Sequence, residues 1–290
     1  MQIKRKLQNV HTPPTEPGFL GPDHSARAVI QDGFAQSDPF IILMDDVLDK
    51  KDKTPVGGPH PHAGFETVSL LLEGEIGDEE HTMHAGDLQI MTAGSGIVHT
   101  ETIDKEARMR LLQMWITLPK AQRWITPRVQ NLPFASVPKL TENGAEIRVY
   151  SGSFAGLTSP IQNYVPLIIA DIHLDSNSST LQQLAANYNA FLYVIEGSIL
   201  VGEEQKPLQQ NQVGWLDKFN DKTTSELLLR AGENGARVIL YAGEPQHDEI
   251  ISYGPFIGDS KQDIQRLYYE YNRGQMRHVN TLPMEQTINY

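Results

Sequence analysis

Short apolar runs alternate with turns marked by glycine and proline along the whole chain. Residues 67–72, 88–91, 111–116, 167–170, 191–195 and 238–241 are rich in Val, Ile, Leu and aromatic side chains, and each stops at polar or turn-forming residues. Runs of four to eight such residues bounded by turn signals predict β-strands. Many short strands joined by Gly- and Pro-containing turns predict an all-β sandwich or barrel. Helical periodicity is confined to 260–271, where Ile264, Leu267, Tyr268 and Tyr271 recur at i, i+3, i+4 and i+7. Asp259 or Ser260 is the expected N-cap of that helix, and Gly274 lies just beyond its end.

The strand pattern repeats. Leu71-Leu72-Glu73-Gly74-Glu75-Ile76 is followed by Gly86-Asp87-Leu88-Gln89-Ile90-Met91 in the first half. Val194-Ile195-Glu196-Gly197-Ser198-Ile199 is followed by Asn211-Gln212-Val213-Gly214-Trp215-Leu216 in the second. Strand, Glu-Gly turn, strand, small polar turn and strand recur in the same order, which suggests two similar β-barrels in tandem. Pro119, Pro127, Pro133 and Pro138 mark a junction between them. A length of 290 residues agrees with about two domains.

Composition narrows the chemistry. The formal charge of −12 disfavours binding to phosphate backbones, so no direct nucleic-acid partner is expected. No apolar run approaches the ~20 residues of a membrane-spanning helix, and no secretory signal is visible. Cysteine is absent, which removes disulfides, thiolate catalysis and Cys-ligated metals and fits a cytoplasmic protein. Any metal must be held by His, Asp, Glu or backbone oxygen.

Five of the ten histidines fall between positions 60 and 99, where even spacing would place one or two. His60-Pro61-His62 puts two imidazoles on one face of a strand, and Pro61 marks a strand start or edge. His99-Thr100-Glu101 has the same spacing. Two such strands facing one another supply three imidazoles and one carboxylate, a donor set suited to a divalent first-row metal. His81 and His84 sit in an acidic polar hairpin and read as solvated or as supporting groups. His11, His24, His173, His247 and His278 are isolated.

Pro59-His60-Pro61-His62-Ala63-Gly64-Phe65-Glu66-Thr67-Val68, then Leu72-Glu73-Gly74, then the continuous stretch 86–101 resemble the pirin family of the cupin superfamily. Asp38-Pro39-Phe40-Ile41-Ile42, Gly243-Glu244-Pro245 and Tyr253-Gly254-Pro255-Phe256 extend the likeness over most of the chain. The resemblance implies an all-β bicupin of two tandem antiparallel β-barrels with a short C-terminal helix. Residues 1–130 would form a metal-binding barrel and residues 131–290 a metal-free barrel carrying the helix. Gln183 and Ala185 stand where the second barrel would need His60 and His62, and no histidine occurs between His173 and His247.

Carried over by position, the implied ligands are His60, His62, His99 and Glu101. Glu66 is the competing carboxylate, since it shares the phase of His60 and His62. One residue departs from the family pattern: Ala63 follows His-Pro-His where arginine is common, which removes a basic surface contact near the metal. The family likeness implies a quercetin 2,3-dioxygenase that opens flavonols with dioxygen and releases carbon monoxide, with Glu101 taking the substrate hydroxyl proton. Iron is the first choice of metal, and the donors also accept nickel, cobalt, manganese, copper or zinc. The rival reading is a metal-dependent regulatory protein whose partner is a transcription regulator or metabolic enzyme. A metal site of structural value only is the third.

Overall fold

The predicted strands are present, and most extend beyond their apolar centres because alternating polar residues continue each ladder. In the computed structural model, which describes residues 2–30, 33–77 and 82–290, 67–72 lies within Phe65–Glu73 and 111–116 within Ala107–Thr117. The run 191–195 lies within Asn189–Val201, and 238–241 ends the 20-residue strand Thr224–Gly243. The fold is an all-β bicupin with a short helix, Lys261–Asn272, near the C-terminus. Ser260 caps that helix, its side chain accepting from the Asp263 amide, and Ile264 and Leu267 are buried on its inner face. Among the described residues no helix is long and apolar enough to cross a membrane.

The chain divides into two compact units, and neither is a contiguous half. One comprises Met1–Pro14, Ser37–Pro39 and Val137–Pro245; the other comprises Thr15–Gln36, Phe40–Ser136 and Gln246–Tyr290. The units therefore differ from the expected stretches 1–130 and 131–290, and the helix belongs with the first barrel's strands. Long-range strand pairing is the reason. Leu7–His11 pairs with Val213–Leu216, so the N-terminus joins the later unit. Thr287–Asn289 pairs with Arg128–Leu132, and Arg277–His278 pairs with Ile97–Thr100, so the C-terminus joins the earlier one.

In the unit containing Val137–Pro245, a ten-stranded sheet encloses an aliphatic core that includes Ile147, Ile172, Leu192, Val194 and Leu240. Arg5 locks the N-terminus onto it. Its buried guanidinium donates to the carbonyls of Ala185, Ala186, Tyr188 and Asp217, and its Nε donates to Ser225 Oγ.

In the unit containing Phe40–Ser136, the eight-stranded sheet runs in the order Thr287–Asn289, Arg128–Leu132, Leu88–Thr92, Phe65–Glu73, Ala107–Thr117, Phe40–Lys50, His24–Ala28, Glu16–Pro17. A three-stranded sheet of Arg277–His278, Ile97–Thr100 and Pro59–His62 completes it.

The repeated Glu-Gly turn has one physical cause in both units. Gly74 and Gly197 have φ of +81° and +71°. A Cβ there would meet the Arg108 carbonyl oxygen at 2.0 Å or the Gly235 carbonyl oxygen at 2.1 Å. Only glycine fits a left-handed residue pressed against a neighbouring strand.

Candidate metal centre

Pro59–His62 and Ile97–Thr100 are antiparallel neighbours, with His60 opposite His99 and His62 opposite Ile97. Directly paired residues project to the same face, so the imidazoles of the two motifs come together. His62 Nε2 lies 3.1 Å from His99 Nε2, and His99 Nε2 lies 2.8 Å from His60 Nε2. The ligand atoms of the three histidines all lie within 4.8 Å of one another. Nitrogen donors ~2.1 Å from a single ion at right angles stand about 3 Å apart, so this spacing fits one first-row ion. His60 Nδ1 meets the Gly58 carbonyl at 2.9 Å. A proton on Nδ1 satisfies that contact and leaves the Nε2 lone pair facing the cluster.

The electrostatics agree with neutral imidazoles. Burial, reinforced by His99 and His60, pushes His62 down to about 2. Burial also dominates at His99 and pushes it down to about 4 against the attraction of Glu101. Neutral imidazole is the ligating form. His62 packs edge-on against the paired rings of Phe65 and Trp115, each ring centroid 5.3 Å from its own.

Glu101 stands at the edge of the cluster. Its Oε2 is 3.8 Å from His60 Nε2 and its Oε1 is 3.9 Å from His99 Nδ1. Gln113 Nε2 donates to Glu101 Oε1 at 3.1 Å.

Glu66 is elsewhere. The expectation that it shares the phase of His60 and His62 fails because the strand is broken: Gly64, at φ +87°, separates Pro59–His62 from Phe65–Glu73. After that turn Phe65, Thr67 and Ser69 share one face and Glu66 takes the other. There Thr92 Oγ1 donates to Glu66 Oε1 at 2.6 Å, and burial pushes the carboxyl up to about 7.

The C-terminal segment braces the turn behind His62. Ile257 N donates to the Ala63 carbonyl at 3.0 Å, and Arg123 Nη1 donates to the Gly64 carbonyl at 3.1 Å. Arg123 is itself held by Asp259 at 2.7 Å. Ala63 is fully buried in a cluster with Phe256 and Leu267. The position that departs from the family pattern is thus an interior one, and alanine fits there where a basic surface contact was expected.

A cavity of about 630 Å³ opens beside His99 and Glu101. Ser69, Gln89 and Asn131 give it a polar side, and Met91, Leu111 and Val129 an apolar one. His278 also lines it, with Nε2 2.8 Å from Thr100 Oγ1. Nothing local distinguished His278 or Gln113 in the sequence; both reach the site through strand pairing across long separations. His24 instead forms a buried pair with Asp46 at 2.9 Å, and His173 pairs with Asp171 at 3.2 Å. His84 is exposed, and His81 lies outside the described residues.

Comparison with known proteins bears on the family and the fold. Residues 24–116 match the family described as Pirin, and residues 169–277 match the Pirin C-terminal cupin domain. Pirin-like protein 2 of Arabidopsis thaliana is 32% identical over 262 residues, covering 85% of this chain and 79% of that protein. A Pseudomonas aeruginosa protein provisionally named a quercetin 2,3-dioxygenase is 30% identical over 253 residues, covering 81% of this chain and 85% of its own. The crystal structure of a quercetin 2,3-dioxygenase from Acinetobacter baumannii superposes with a TM-score of 0.82 at 24% identity, covering 94% of this chain and 98% of that one.

Proposed function

This chain belongs to the pirin family, and on that premise we propose that it is a metal-dependent dioxygenase that opens flavonols such as quercetin and releases carbon monoxide. The observation that carries the reading is the convergence of the His60, His62 and His99 imidazoles, with Glu101 at the edge of the cluster and a cavity of about 630 Å³ beside His99 and Glu101. The name of the Pseudomonas aeruginosa relative supports the substrate class.

His60, His62, His99 and Glu101 would hold one divalent ion. Iron is the first choice for dioxygen chemistry at a nitrogen-rich site with open positions, and nickel, cobalt, manganese, copper and zinc suit the same donors. Bound there, the ion supplies Lewis acidity and open positions for substrate and dioxygen.

The chain's own groups do the rest. Glu101 accepts the proton of the reacting hydroxyl, and Gln113 holds its Oε1 so that Oε2 faces His60. Phe65 and Trp115 wall off His62 and keep water from that side. Dioxygen is the oxidant: both of its atoms enter the ring-opened product, and one ring carbon leaves as carbon monoxide.

The test is oxygen uptake and carbon monoxide release with quercetin, for protein loaded with each metal in turn. Turnover is expected with iron under air and none under argon. Glu101→Gln is expected to lower kcat by ~10²–10⁴ while binding changes far less, with metal content measured in parallel. Oxygen uptake absent with every metal would refute the dioxygenase and favour the regulatory reading.

A further inference from the structure

Beyond the histidines and Glu101, the cavity has a polar wall of Ser69, Gln89 and Asn131 for which the proposed chemistry has no use. Gln113, Ser69, Gln89 and Asn131 stand opposite one another across four adjacent strands of the eight-stranded sheet. They occupy the same face as Phe65 and Trp115, because Phe65, Thr67 and Ser69 alternate along one strand and Gln113 and Trp115 along its neighbour. Three interstrand steps of ~4.8 Å make the row roughly 14 Å long. One end is bonded to Glu101 through Gln113, and Ser69, Gln89 and Asn131 line the cavity from there.

The far end of the row is ordered by its own hydrogen bonds. Gln89 Nε2 donates to Asn131 Oδ1 at 2.9 Å, and Asn131 Nδ2 donates to Asn289 Oδ1 at 2.8 Å. Among the described residues Gln89 Oε1 has no hydrogen-bond partner of its own. Polar side chains in a barrel interior are costly unless something bonds to them, and the interior of the other unit is aliphatic at its core. Met91, Leu111 and Val129 supply apolar surface in the same cavity. The matching ligand is a flat ring system with apolar faces, one hydroxyl at the Glu101 end and further hydroxyls at the opposite edge.

We propose that Gln89, supported by Ser69 and Asn131, selects substrates that carry hydroxyl groups on the ring remote from the reacting one. The selection rests on the flavonol reading and names the part of the flavonol that is recognised. A remote hydroxyl donates to Gln89 Oε1, while Ser69 Oγ can donate or accept. An analogue lacking that hydroxyl covers the half-buried carboxamide and takes water from its oxygen without replacing the hydrogen bond, which is the strongest way a site rejects a near-isostere.

The test compares quercetin with 3,5,7-trihydroxyflavone, which lacks the hydroxyls of the pendant ring, binding to metal-loaded protein under argon in a calorimeter. Wild-type protein is expected to prefer quercetin about tenfold or more, the worth of one buried hydrogen bond. Gln89→Leu is expected to remove that preference by weakening quercetin alone, with metal content unchanged and the fold retained. Ser69→Ala is expected to move it the same way by less, and it decides the matter if the leucine variant does not fold. A preference that survives these substitutions overturns the proposal, as does an equal loss for both flavonols. Wild-type protein that binds neither flavonol overturns the flavonol reading together with the selection, whereas failure of the row alone leaves both flavonols bound.

Discussion

In the unit containing Val137–Pro245, Ile147, Ile172, Leu192, Val194 and Leu240 belong to one aliphatic cluster that runs through the barrel. In the unit containing Phe40–Ser136, the inward positions of the corresponding strands are Ser69, Gln89, Gln113 and Trp115; apolar clusters form around Leu48, Met91 and Ala63, and Val68, Leu70, Ile90 and Leu112 are buried on the opposite face of the same strands. Both units share the Glu-Gly turn and the antiparallel ladders. One fills its interior with methyl groups, and the other keeps room for imidazoles, amides and a cavity. The fold is indifferent to that choice, so function resides in the inward-facing residues and not in the ladder.

Their buried carboxylates differ in the same way. Burial tends to raise Asp171 in the aliphatic unit, but hydrogen bonds from His173 and Arg237 outweigh it and hold the carboxyl below its ordinary range. In the unit containing Phe40–Ser136 the Thr92 hydrogen bond and the charge of Arg128 do not outweigh full burial, and Glu66 is pushed up to about 7.

The largest expected effect separates the two interiors outright. His62→Ala should weaken metal affinity by at least ~100-fold, since losing even a group that merely orients a ligand costs ~10–100-fold. The ladders should stay intact, and metal analysis with circular dichroism checks both halves of that statement. A variant retaining stoichiometric metal would refute the ligand assignment.

Truncation of inward side chains gives the next contrast. Leu192→Ala should destabilise the aliphatic unit by about 2–5 kcal/mol, because its neighbours cannot collapse into the space. Ser69→Ala in the cavity wall should cost less than ~0.5 kcal/mol. Denaturant unfolding of the two variants measures the difference, and equal losses would mean the cavity wall is packed like a core.

The smallest effect is a pH signature. Unfolded Glu66 releases its proton near the ordinary value of 4.5, whereas folded Glu66 holds it until about 7. The unfolded state therefore binds fewer protons in that window, and the contribution of Glu66 to stability is lost as pH rises from about 4.5 to 7. Asp171 has the opposite sign: its contribution is present at neutral pH and is lost as pH falls below its ordinary range. Glu66→Gln, which keeps an acceptor for Thr92, should flatten the upper window and add up to roughly 3 kcal/mol above pH 7. Unfolding free energies from pH 4 to 8 test it; an unchanged slope would show that Glu66 ionises normally.

Several features were legible from local pattern. The strand centres, the capped helix after Ser260 and the two Glu-Gly turns follow from side-chain alternation and from glycine's freedom at positive φ, both properties of a few consecutive residues. His60 and His62 share a face for the same reason. Absence of cysteine excluded whole classes of chemistry before any fold was known.

Other features depend on residues far apart in the chain. The phase carried from His62 to Glu66 was broken by Gly64, whose Cβ would meet the Ile257 carbonyl oxygen at 2.0 Å. That turn is imposed by a segment nearly two hundred residues away, not by its own composition. Both chain ends joined the unit opposite to the one their position suggested, since strand pairing is governed by which edges are open and not by sequence distance. His278, Ser69, Gln89 and Asn131 entered the cavity by the same route. Alternation dictates which side chains share a face of a strand; only the closing of the sheet determines which faces meet.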